Sequence, residues 1–374
     1  MAAQTQLNFS SLENGHSKFL ENDVPMQGDG FYNSHAALQA AAMHRALPLF
    51  DAIPARTMRE SDRFTVAEYG CAQGANSLLP VERIMKIRLS GDDAETVEGH
   101  FIFSDRSGND FNTLVQTIER AEFLKKPTIF TSMVAKSFYE RVVPKDSVDV
   151  GFSLATLHHL QQSPAFVSTQ NDADRSLELN RQQAHRDLVR FLTLRSQELR
   201  RGGSLIVSFV SRSSTGALNY PNLIDSCRQA IVQMVVEKRI SPEVAGAFSV
   251  PTYDRTFEDV QKSLAEVKHL WQTDEMFEAE ITHPAYDQLQ KLRASGADPE
   301  TASQSYADTV VDWMMAVIAG YFTKALQTAA PQLDGDARRT LLTEWSNRTK
   351  DVFLQQHRDS KVSCWFIFVK LQRL

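Results

Sequence analysis

The sequence predicts an α/β protein with a doubly wound, mostly parallel sheet and a mostly helical cap inserted before the last strands. Short apolar segments typical of strands alternate with helical segments as far as Arg212, whereas long helical segments dominate after it. A glycine turn, Gly70 to Gly74, follows the first predicted strand and precedes a helix. Together these observations favour a core of parallel strands with helical crossovers.

Five strands are predicted before Arg212, as short runs rich in β-branched and aromatic residues. Helical spacing of apolar residues predicts the segments that precede and connect them. The predicted strands span 64–69, 100–104, 128–133, 148–154 and 204–210, and the predicted helices span 35–50, 76–87, 110–123 and 172–199.

The pattern changes after Arg212. Helices are predicted at 220–238, 303–329 and around 338–354, and strands at 276–281 and 362–371. We therefore expect a chain of four parts. They are a flexible tail over 1–25, an N-terminal segment with the core over 26–212, a mostly helical cap over 213–345 with one core strand near 276–282, and the end of the last core helix with the last strand over 346–374.

Composition and charge exclude several classes of protein. With 374 residues, of which 42% are hydrophobic and 23% charged, the chain can bury a sizeable core. Its 46 acidic against 40 basic side chains give a formal charge of -6, so we expect no nucleic-acid partner. The most apolar long stretch, 310–322, contains Asp312 and is shorter than the roughly 20 residues that span a bilayer. We therefore expect no membrane association.

The cysteines also indicate a compartment. Cys71, Cys227 and Cys364 are widely spaced and form no C-x-x-C pair, which argues against a disulfide framework and a zinc site. The N-terminal residues lack the apolar run of a secretory signal. We therefore predict a cytoplasmic protein.

The glycine turn is the first candidate site, because backbone N–H groups of such a turn can approach a ligand closely. Glu68 lies just before the turn, and Asp105 ends the second predicted strand, where a carboxylate would accept the hydroxyl protons of a cofactor ribose. The turn lacks the third glycine of the dinucleotide fingerprint and the Lys-Ser/Thr of a P-loop. A second interpretation stays open, in which the glycines only shape the turn and Asp105 caps the next helix.

Seven blocks together resemble the SABATH family of S-adenosylmethionine-dependent methyltransferases, whose plant members methylate salicylate, benzoate and jasmonate. The resemblance preserves the order and spacing of the blocks, and it implies a Rossmann-like class I methyltransferase core with a helical cap. It also implies S-adenosylmethionine as the cofactor, S-adenosylhomocysteine as its product, and a homodimer. Several departures from the family pattern make this chain a distant, microbial member. The blocks are MQGDGFYNSHAALQ (26–39), VAEYGCAQGANSL (66–78), FSDRSGNDFNTL (103–114), KSFYERVVP (136–144), SLATLHHLQQSP (153–164), LRRGGSLIVSFVSR (199–212) and FSVPTYDRTFEDV (248–260).

The resemblance implies a set of residues that contact the cofactor. Glu68 stands where relatives usually have Asp, which keeps the acid with one more methylene. Arg106 stands where relatives usually have a Leu against the adenine, so we expect the Arg stem to pack there. The other implied contacts are Tyr32, Gly70, Asn76, Asp105, Ser137 and Phe138.

For the substrate, the resemblance implies that Gln39 holds a carboxylate together with a Trp of an S-L-x-W-L block. Here that block reads SLATLHHL, so His159 replaces the Trp. Our hypothesis is that Gln39 and His159 orient the substrate carboxylate, with His159 protonated when the acid is bound. An alternative is that one of the adjacent histidines packs structurally and the other faces solvent; it is favoured for His158, which we keep as a candidate substrate residue.

The resemblance also implies apolar walls for the rest of an aromatic or alkyl acid, although each of these residues would serve equally as plain core. They are Leu223, Ile224, Tyr253, Met314 and Val317.

The predicted function is therefore formation of methyl esters of small, aromatic, mono- or dicarboxylic acids. A carboxylic acid is already ionised at pH 7, so the transfer needs alignment and a dry pocket rather than a base. One alternative is an N- or phenol O-methyltransferase acting on a small heterocycle, with His158 or His159 as its base. Another is a catalytically silent homologue that only binds the cofactor, because His35, Ala36 and His159 depart from the family pattern.

Two further expectations concern charged groups. Arg212, Arg255 or His283 would serve a second carboxylate if the cap turned one of them inward, although a solvated surface position is the commoner outcome. No metal is expected, since adjacent histidines point apart and no set of ligands has metal spacing.

Overall fold

The computed structural model describes residues 24–54, 62–89, 96–162 and 171–374. The predicted tail over 1–25 lies outside the described residues, apart from its last two.

Seven strands form one mixed sheet in the order β3-β2-β1-β4-β5-β7-β6. The first five strands are parallel to one another, and β7 pairs antiparallel with both β5 and β6. The predicted fold class, a doubly wound and mostly parallel sheet, is confirmed. The strands are β1 (Arg63–Tyr69), β2 (Glu98–Asp105), β3 (Ile129–Ala135), β4 (Val148–Leu154), β5 (Leu199–Val210), β6 (Trp271–Thr282) and β7 (Ser363–Arg373).

Burial explains why some strands are easier to predict than others. β4 is buried along its first six residues, so it has the continuous apolar pattern of a central parallel strand. β6 lies at the sheet edge, and its residues 272–275 are exposed, so no apolar pattern is needed there. The prediction for this strand, 276–281, was therefore too short.

Helices flank the sheet on both sides and dominate the chain after β5. The helix predicted over 35–50 is interrupted at Ala36, and three short helices, α7 to α9, were not predicted because each offers few apolar repeats. The helices are α1 (Phe31–His35), α2 (Ala37–Asp51), α3 (Leu78–Arg88), α4 (Phe111–Glu119), α5 (Asn171–Glu198), α6 (Pro221–Val236), α7 (Pro242–Ala247), α8 (Phe257–Glu266), α9 (Pro284–Ala294), α10 (Pro299–Ala329) and α11 (Gly335–His357).

Side-chain caps mark two of the helices that the periodicity missed. Thr256 and Asp259 form a capping box at the start of α8. His283 accepts a hydrogen bond from the N–H of Ala285 at the start of α9. Across the described ranges, no helix combines the length and the apolarity needed to cross a membrane.

The order of the strands locates the site. The chain moves outward in one direction from β1 to β2 and β3, and in the other direction from β4 to β5, so the switch lies between β1 and β4. In open parallel sheets, ligands bind outside the carboxyl ends of the strands at this switch. Gly70 follows β1 there, Asp105 ends β2, and Ala155 follows β4.

Candidate active site

The glycine turn after β1 requires glycine at two positions. Gly70 has φ 90° and Gly74 has φ 85°, both in the left-handed region. A Cβ at Gly70 would lie 2.7 Å from Thr156 Cγ2, and a Cβ at Gly74 would lie 2.6 Å from Leu114 Cδ1. Both the backbone conformation and the available space therefore exclude larger residues.

Side chains from the connection between β2 and α4 hold this turn. Asp105 Oδ2 accepts a hydrogen bond from the Ala72 N–H at 2.7 Å, and Asn109 Nδ2 donates to the Ala72 carbonyl at 2.7 Å. Asp110 caps α4 by accepting the N–H of Thr113 at 3.0 Å. The interpretation in which Asp105 caps the next helix is therefore wrong, because Asp110 does so and Asp105 braces the glycine turn.

The turn borders a cleft at the carboxyl ends of the strands. It contains about 780 Å³ of empty space, with the open solvent at its mouth included. Residues predicted for the cofactor and for the acid line it together. They are Tyr32, Gln39, Glu68, Gly70, Asn76, Asp105, Arg106, Phe138 and His159.

Glu68 is a buried carboxyl at the floor of this cleft. Its Oε2 has no hydrogen-bond partner among the described residues. Burial, reinforced by the nearby charge of Asp105, raises the pKa of Glu68 to about 8. Burial, with the charges of Asp105 and Glu68, also raises the pKa of Tyr32, so its phenol stays protonated. The nearby Ser77 side chain opposes this rise of the Glu68 pKa only in part.

Two amide side chains that sequence reasoning missed join the N-terminal segment to the glycine turn. Asn33 Nδ2 donates to the Gln73 carbonyl at 3.0 Å, and the Asn33 N–H donates to Gln73 Oε1 at 3.1 Å. Gln73 Nε2 in turn donates to the Gln27 carbonyl at 2.9 Å. Both residues lie within family blocks, so the signal was present, but only the structure shows that they contact each other.

The remaining predicted cofactor residues differ in their environment. Arg106 lines the cleft and its Nη1 donates to the Val24 carbonyl at 3.1 Å, so its guanidinium contacts the N-terminal segment. Ser137 lies outside the cleft lining, where its hydroxyl accepts the N–H of Tyr139 at 3.2 Å. Phe138 lines the cleft, and its carbonyl accepts a hydrogen bond from Arg195 at 2.8 Å.

Gln39 lines the cleft and has a hydrogen-bond partner from a distant helix. Its Oε1 accepts a hydrogen bond from Trp313 Nε1, on α10, at 2.9 Å. An indole nitrogen can only donate, so the amide atom that it contacts is the oxygen. Because the oxygen is occupied by the indole, the NH₂ group of Gln39 is the part of the amide that remains to donate to a ligand.

His159 is a buried histidine that also lines the cleft. The Tyr139 hydroxyl donates to its carbonyl at 2.8 Å, whereas its Nδ1 has no partner within the described part of the chain. Burial, followed by the positive charges of His158 and Arg106, lowers the pKa of His159 well below its usual value. The ring is therefore neutral at pH 7 in the free protein, and a bound acid would have to raise its pKa substantially to give the protonated form that we expected.

His158 lies next to His159 but outside the lining of the cleft. The centroids of the two rings are 4.3 Å apart with planes tilted by 38°, so the expectation that the adjacent histidines point apart is wrong. Burial, with a smaller effect of Arg255, lowers the pKa of His158 to about 3. In residues 24–54, 62–89, 96–162 and 171–374, no group of three or more His, Cys, Asp or Glu could hold a metal ion.

The three candidates for a second carboxylate occupy different environments. Arg212 is exposed. Arg255 is buried, against our expectation of a solvated position, because its guanidinium donates to the carbonyls of Leu157 and Ala184 at 2.5 and 2.6 Å. His283 is also buried; its Nδ1 accepts the Ala285 N–H at 3.2 Å, and burial lowers its pKa to about 4. Arg255 therefore braces the main chain beside the two histidines.

The residues predicted as apolar walls are not part of the cleft lining. Leu223 and Met314 are buried in the larger apolar core, and Ile224 and Val317 are half-buried. Tyr253 is buried, and its hydroxyl donates to Asp259 Oδ2 at 3.2 Å.

The sheet order and the cleft at its switch point define the class of protein, a class I S-adenosylmethionine-dependent methyltransferase. The structure of loganic acid methyltransferase with S-adenosylhomocysteine has the same fold, with a TM-score of 0.70 and 18% identity over 93% of this chain and 98% of that one.

The family follows from the sequence comparisons. The model of the SAM-dependent carboxyl methyltransferases matches residues 21–333, and the chain belongs to that family, which confirms the SABATH resemblance. The methyltransferase LUC1 of Fusarium sp is 46% identical over 364 residues, covering 94% of this chain and 98% of the relative. The O-methyltransferase acrG of Aspergillus aculeatus is 41% identical over 374 residues, covering 96% of this chain and 99% of the relative. The chain is an S-adenosylmethionine-dependent methyltransferase.

The residues of the cleft fit this cofactor. S-adenosylmethionine carries a cationic sulfur, an ammonium group and ribose hydroxyls, whereas Glu68 offers a buried carboxyl whose Oε2 has no partner among the described residues. A cation or a donor at that oxygen would offset the cost of burying it. We expect Glu68, Asp105, Tyr32 and Phe138 to hold the cofactor.

Proposed function

We propose that this protein methylates the carboxylate of small, aromatic, mono- or dicarboxylic acids to give methyl esters. The observation that carries the proposal is the orientation of the Gln39 amide. Its oxygen accepts the Trp313 N–H at 2.9 Å, so its NH₂ group is left to donate. Donors suit an acceptor-only carboxylate, and the family description names carboxyl methylation.

His159 lines the same cleft as Gln39 and complements it as a second hydrogen-bond donor. A neutral imidazole carries one N–H donor, so the two side chains together offer donors to both carboxylate oxygens. Neutral donors orient an anion without taking up its lone pairs as completely as a cation would. The lowered pKa of His159 therefore favours positioning over charge neutralisation.

The reaction requires from the protein mainly that it align the reactants and exclude water. When bound, the cofactor supplies a methyl group on a cationic sulfur, which a carboxylate oxygen takes with no proton moved, leaving neutral S-adenosylhomocysteine. Since a carboxylic acid is ionised at pH 7, no general base is required. Gln39 and His159 orient the acceptor, and the buried surroundings exclude water that would solvate it.

The apolar part of the substrate is assigned through the family positions Leu223, Ile224, Tyr253, Met314 and Val317. Their side chains suit an aromatic or alkyl group, although none of the five lines the cleft as the structure has it. We keep aromatic acids as the first class to test. The homodimer and the cytoplasmic location stay predictions.

The test is a transfer assay with labelled S-adenosylmethionine. The panel comprises benzoate, salicylate, benzene and furan dicarboxylates, aliphatic acids, phenols and xanthines, with products identified by mass. We expect methyl esters from aromatic acids. Methylation only of phenols or ring nitrogens would contradict the proposal, as would cofactor binding by calorimetry without transfer to any acceptor.

The pH profile separates esters from phenol ethers independently of the panel. At saturating S-adenosylmethionine, carboxylate methylation should hold its rate down to the pKa of the acid, because no base on the protein has to take a proton in the transfer. Phenol methylation should fall as its base protonates.

A further inference from the structure

Trp313 is the side chain that contacts Gln39 from the cap side of the molecule. It lies on α10 and is 4% exposed, and its Nε1 is 2.9 Å from Gln39 Oε1. Gln39 lies on α2, far away in sequence. The hydrogen bond therefore joins the helix that precedes the sheet to the longest helix after it.

Two other aromatic rings fix the position of the indole. The Tyr220 ring stands edge-on to it at 5.3 Å between centroids and 82°, and the His283 ring lies at 5.5 Å and 59°. These neighbours come from the N-terminal ends of α6 and α9, so together with Gln39 on α2 three separate elements contact the Trp313 side chain. A side chain so enclosed has little freedom to turn its N–H elsewhere.

The indole N–H determines which way the Gln39 amide faces. If the amide were turned by 180°, its NH₂ group would face another donor, and a buried hydrogen bond would be replaced by two unpaired donors. Only one orientation therefore keeps the contact. In that orientation the amide oxygen is occupied and the NH₂ group remains for a ligand in the cleft.

We infer that Trp313 is a positioning residue that orients the Gln39 amide so that its NH₂ group donates into the cleft. The part of the cleft that Gln39 lines thereby selects an acceptor-only group such as a carboxylate. Trp313 does not line the cleft, so it acts through Gln39. The inference rests on the proposed function, because it explains how the same site distinguishes a carboxylate from a group that must donate.

The variant that tests the inference is Trp313→Phe, which keeps an aromatic ring and removes the N–H. The freed amide can then present either its oxygen or its NH₂ group. We expect KM for the preferred acid to rise about 3- to 10-fold, the effect of one neutral hydrogen bond, with a smaller change in kcat. The affinity for S-adenosylhomocysteine should stay within about twofold of the wild type.

The matched control is Trp271→Phe. Trp271 is 3% exposed and its Nε1 donates to the Leu192 carbonyl at 3.1 Å, so it loses the same ring atoms and the same kind of hydrogen bond away from the cleft. We expect Trp271→Phe to lower the melting temperature about as much as Trp313→Phe does while leaving KM for the acid unchanged.

A double-mutant cycle separates positioning from packing. In a Gln39→Ala background, Trp313→Phe should have no further effect on KM, because the amide that it orients is gone. An unchanged KM for Trp313→Phe in the wild-type background would overturn the inference. An equal rise in both backgrounds would overturn it too, since Trp313 would then act by shape.

A spectroscopic measurement makes the test independent of turnover. The indole N–H resonance that disappears in Trp313→Phe should shift in Gln39→Ala, and an unmoved resonance would also overturn the inference. A shifted resonance in Gln39→Ala, together with a wild-type protein that methylates no acid, would instead contradict the proposed function. The two failures are therefore distinguishable.

Discussion

The residues proposed for the cofactor and those proposed for the acid, called here the cofactor end and the acid end of the cleft, are positioned in different ways. At the cofactor end, Asp105 at the end of β2 and Asn109 shortly after it hold main-chain groups of Ala72 in the glycine turn. At the acid end, Gln39 and His159 present side chains from separate parts of the chain, and Trp313 is the partner of the first. The comparison teaches that the order of the parallel strands brings the residues of the cofactor end together, whereas the acid end depends on side chains that only the packing of distant helices brings together.

The largest effect is expected from the glycine turn. Gly70→Ala would place a Cβ 2.7 Å from Thr156 Cγ2 at a φ of 90°. Strain and overpacking each cost about 1–3 kcal/mol, so we expect the affinity for S-adenosylhomocysteine to fall at least about 30-fold. Isothermal titration calorimetry measures it, with circular dichroism to check the fold.

Gly216→Ala is the control for backbone strain. Gly216 has φ 80°, and a Cβ there would meet no atom of the described residues within 4 Å. This variant should cost some stability and leave the affinity unchanged. Equal losses of affinity in both variants would mean that the close approach at Gly70 has no special role, and the contrast between the two ends would weaken.

The next effect concerns the proton on Glu68. Its pKa of about 8 means that the carboxyl is mostly protonated at pH 7 in the free protein. A cationic cofactor favours the ionised form, so we expect S-adenosylmethionine binding to release up to about one proton and to tighten between pH 6 and 8. Calorimetry in two buffers of different ionisation enthalpy measures the release.

Two variants sharpen this prediction. Glu68→Gln should abolish the release, whereas Asp149→Asn, at a buried carboxyl outside the cleft whose pKa burial also raises, should leave it intact. In the free protein, a pKa raised from 4.5 to about 8 makes folding less favourable as the pH rises through that range. The melting temperature of Glu68→Gln minus that of the wild type should therefore increase from pH 5 to pH 8. A difference that stays constant over this range would contradict the raised pKa of Glu68.

The same contrast explains how much the sequence alone could predict. Gly70, Glu68 and Asp105 lie at strand ends, and the carboxyl ends of neighbouring parallel strands meet at one edge of a sheet, so their proximity follows from the pattern of strands. Asn33 and Gln73 lie in family blocks, but their mutual hydrogen bonds depend on how the N-terminal segment crosses the turn.

The acid end was less predictable for a physical reason. The partner of Gln39 is Trp313, and no local period or spacing joins two residues that the fold alone makes neighbours. Arg255 was expected at the surface because buried arginines are rare, yet two main-chain carbonyls satisfy its guanidinium. Similarly, the exposed half of β6 lacks an apolar pattern because it lies at the edge of the sheet.

The smallest effect is expected at His159. Since the pKa of this buried ring is well below 6.5, its N–H donates as a neutral group, and losing it in His159→Phe should raise KM for the acid about 3- to 10-fold. His159→Gln retains a donor and should recover most of the loss, and His158→Phe should leave KM unchanged because His158 does not line the cleft. Steady-state kinetics from pH 6 to 8 complete the test: a neutral ring leaves the wild-type KM flat over this range. A KM that falls toward pH 6 and loses this slope in His159→Gln would show instead that the bound acid protonates His159, and the acid end would then hold its ligand by charge rather than by neutral donors.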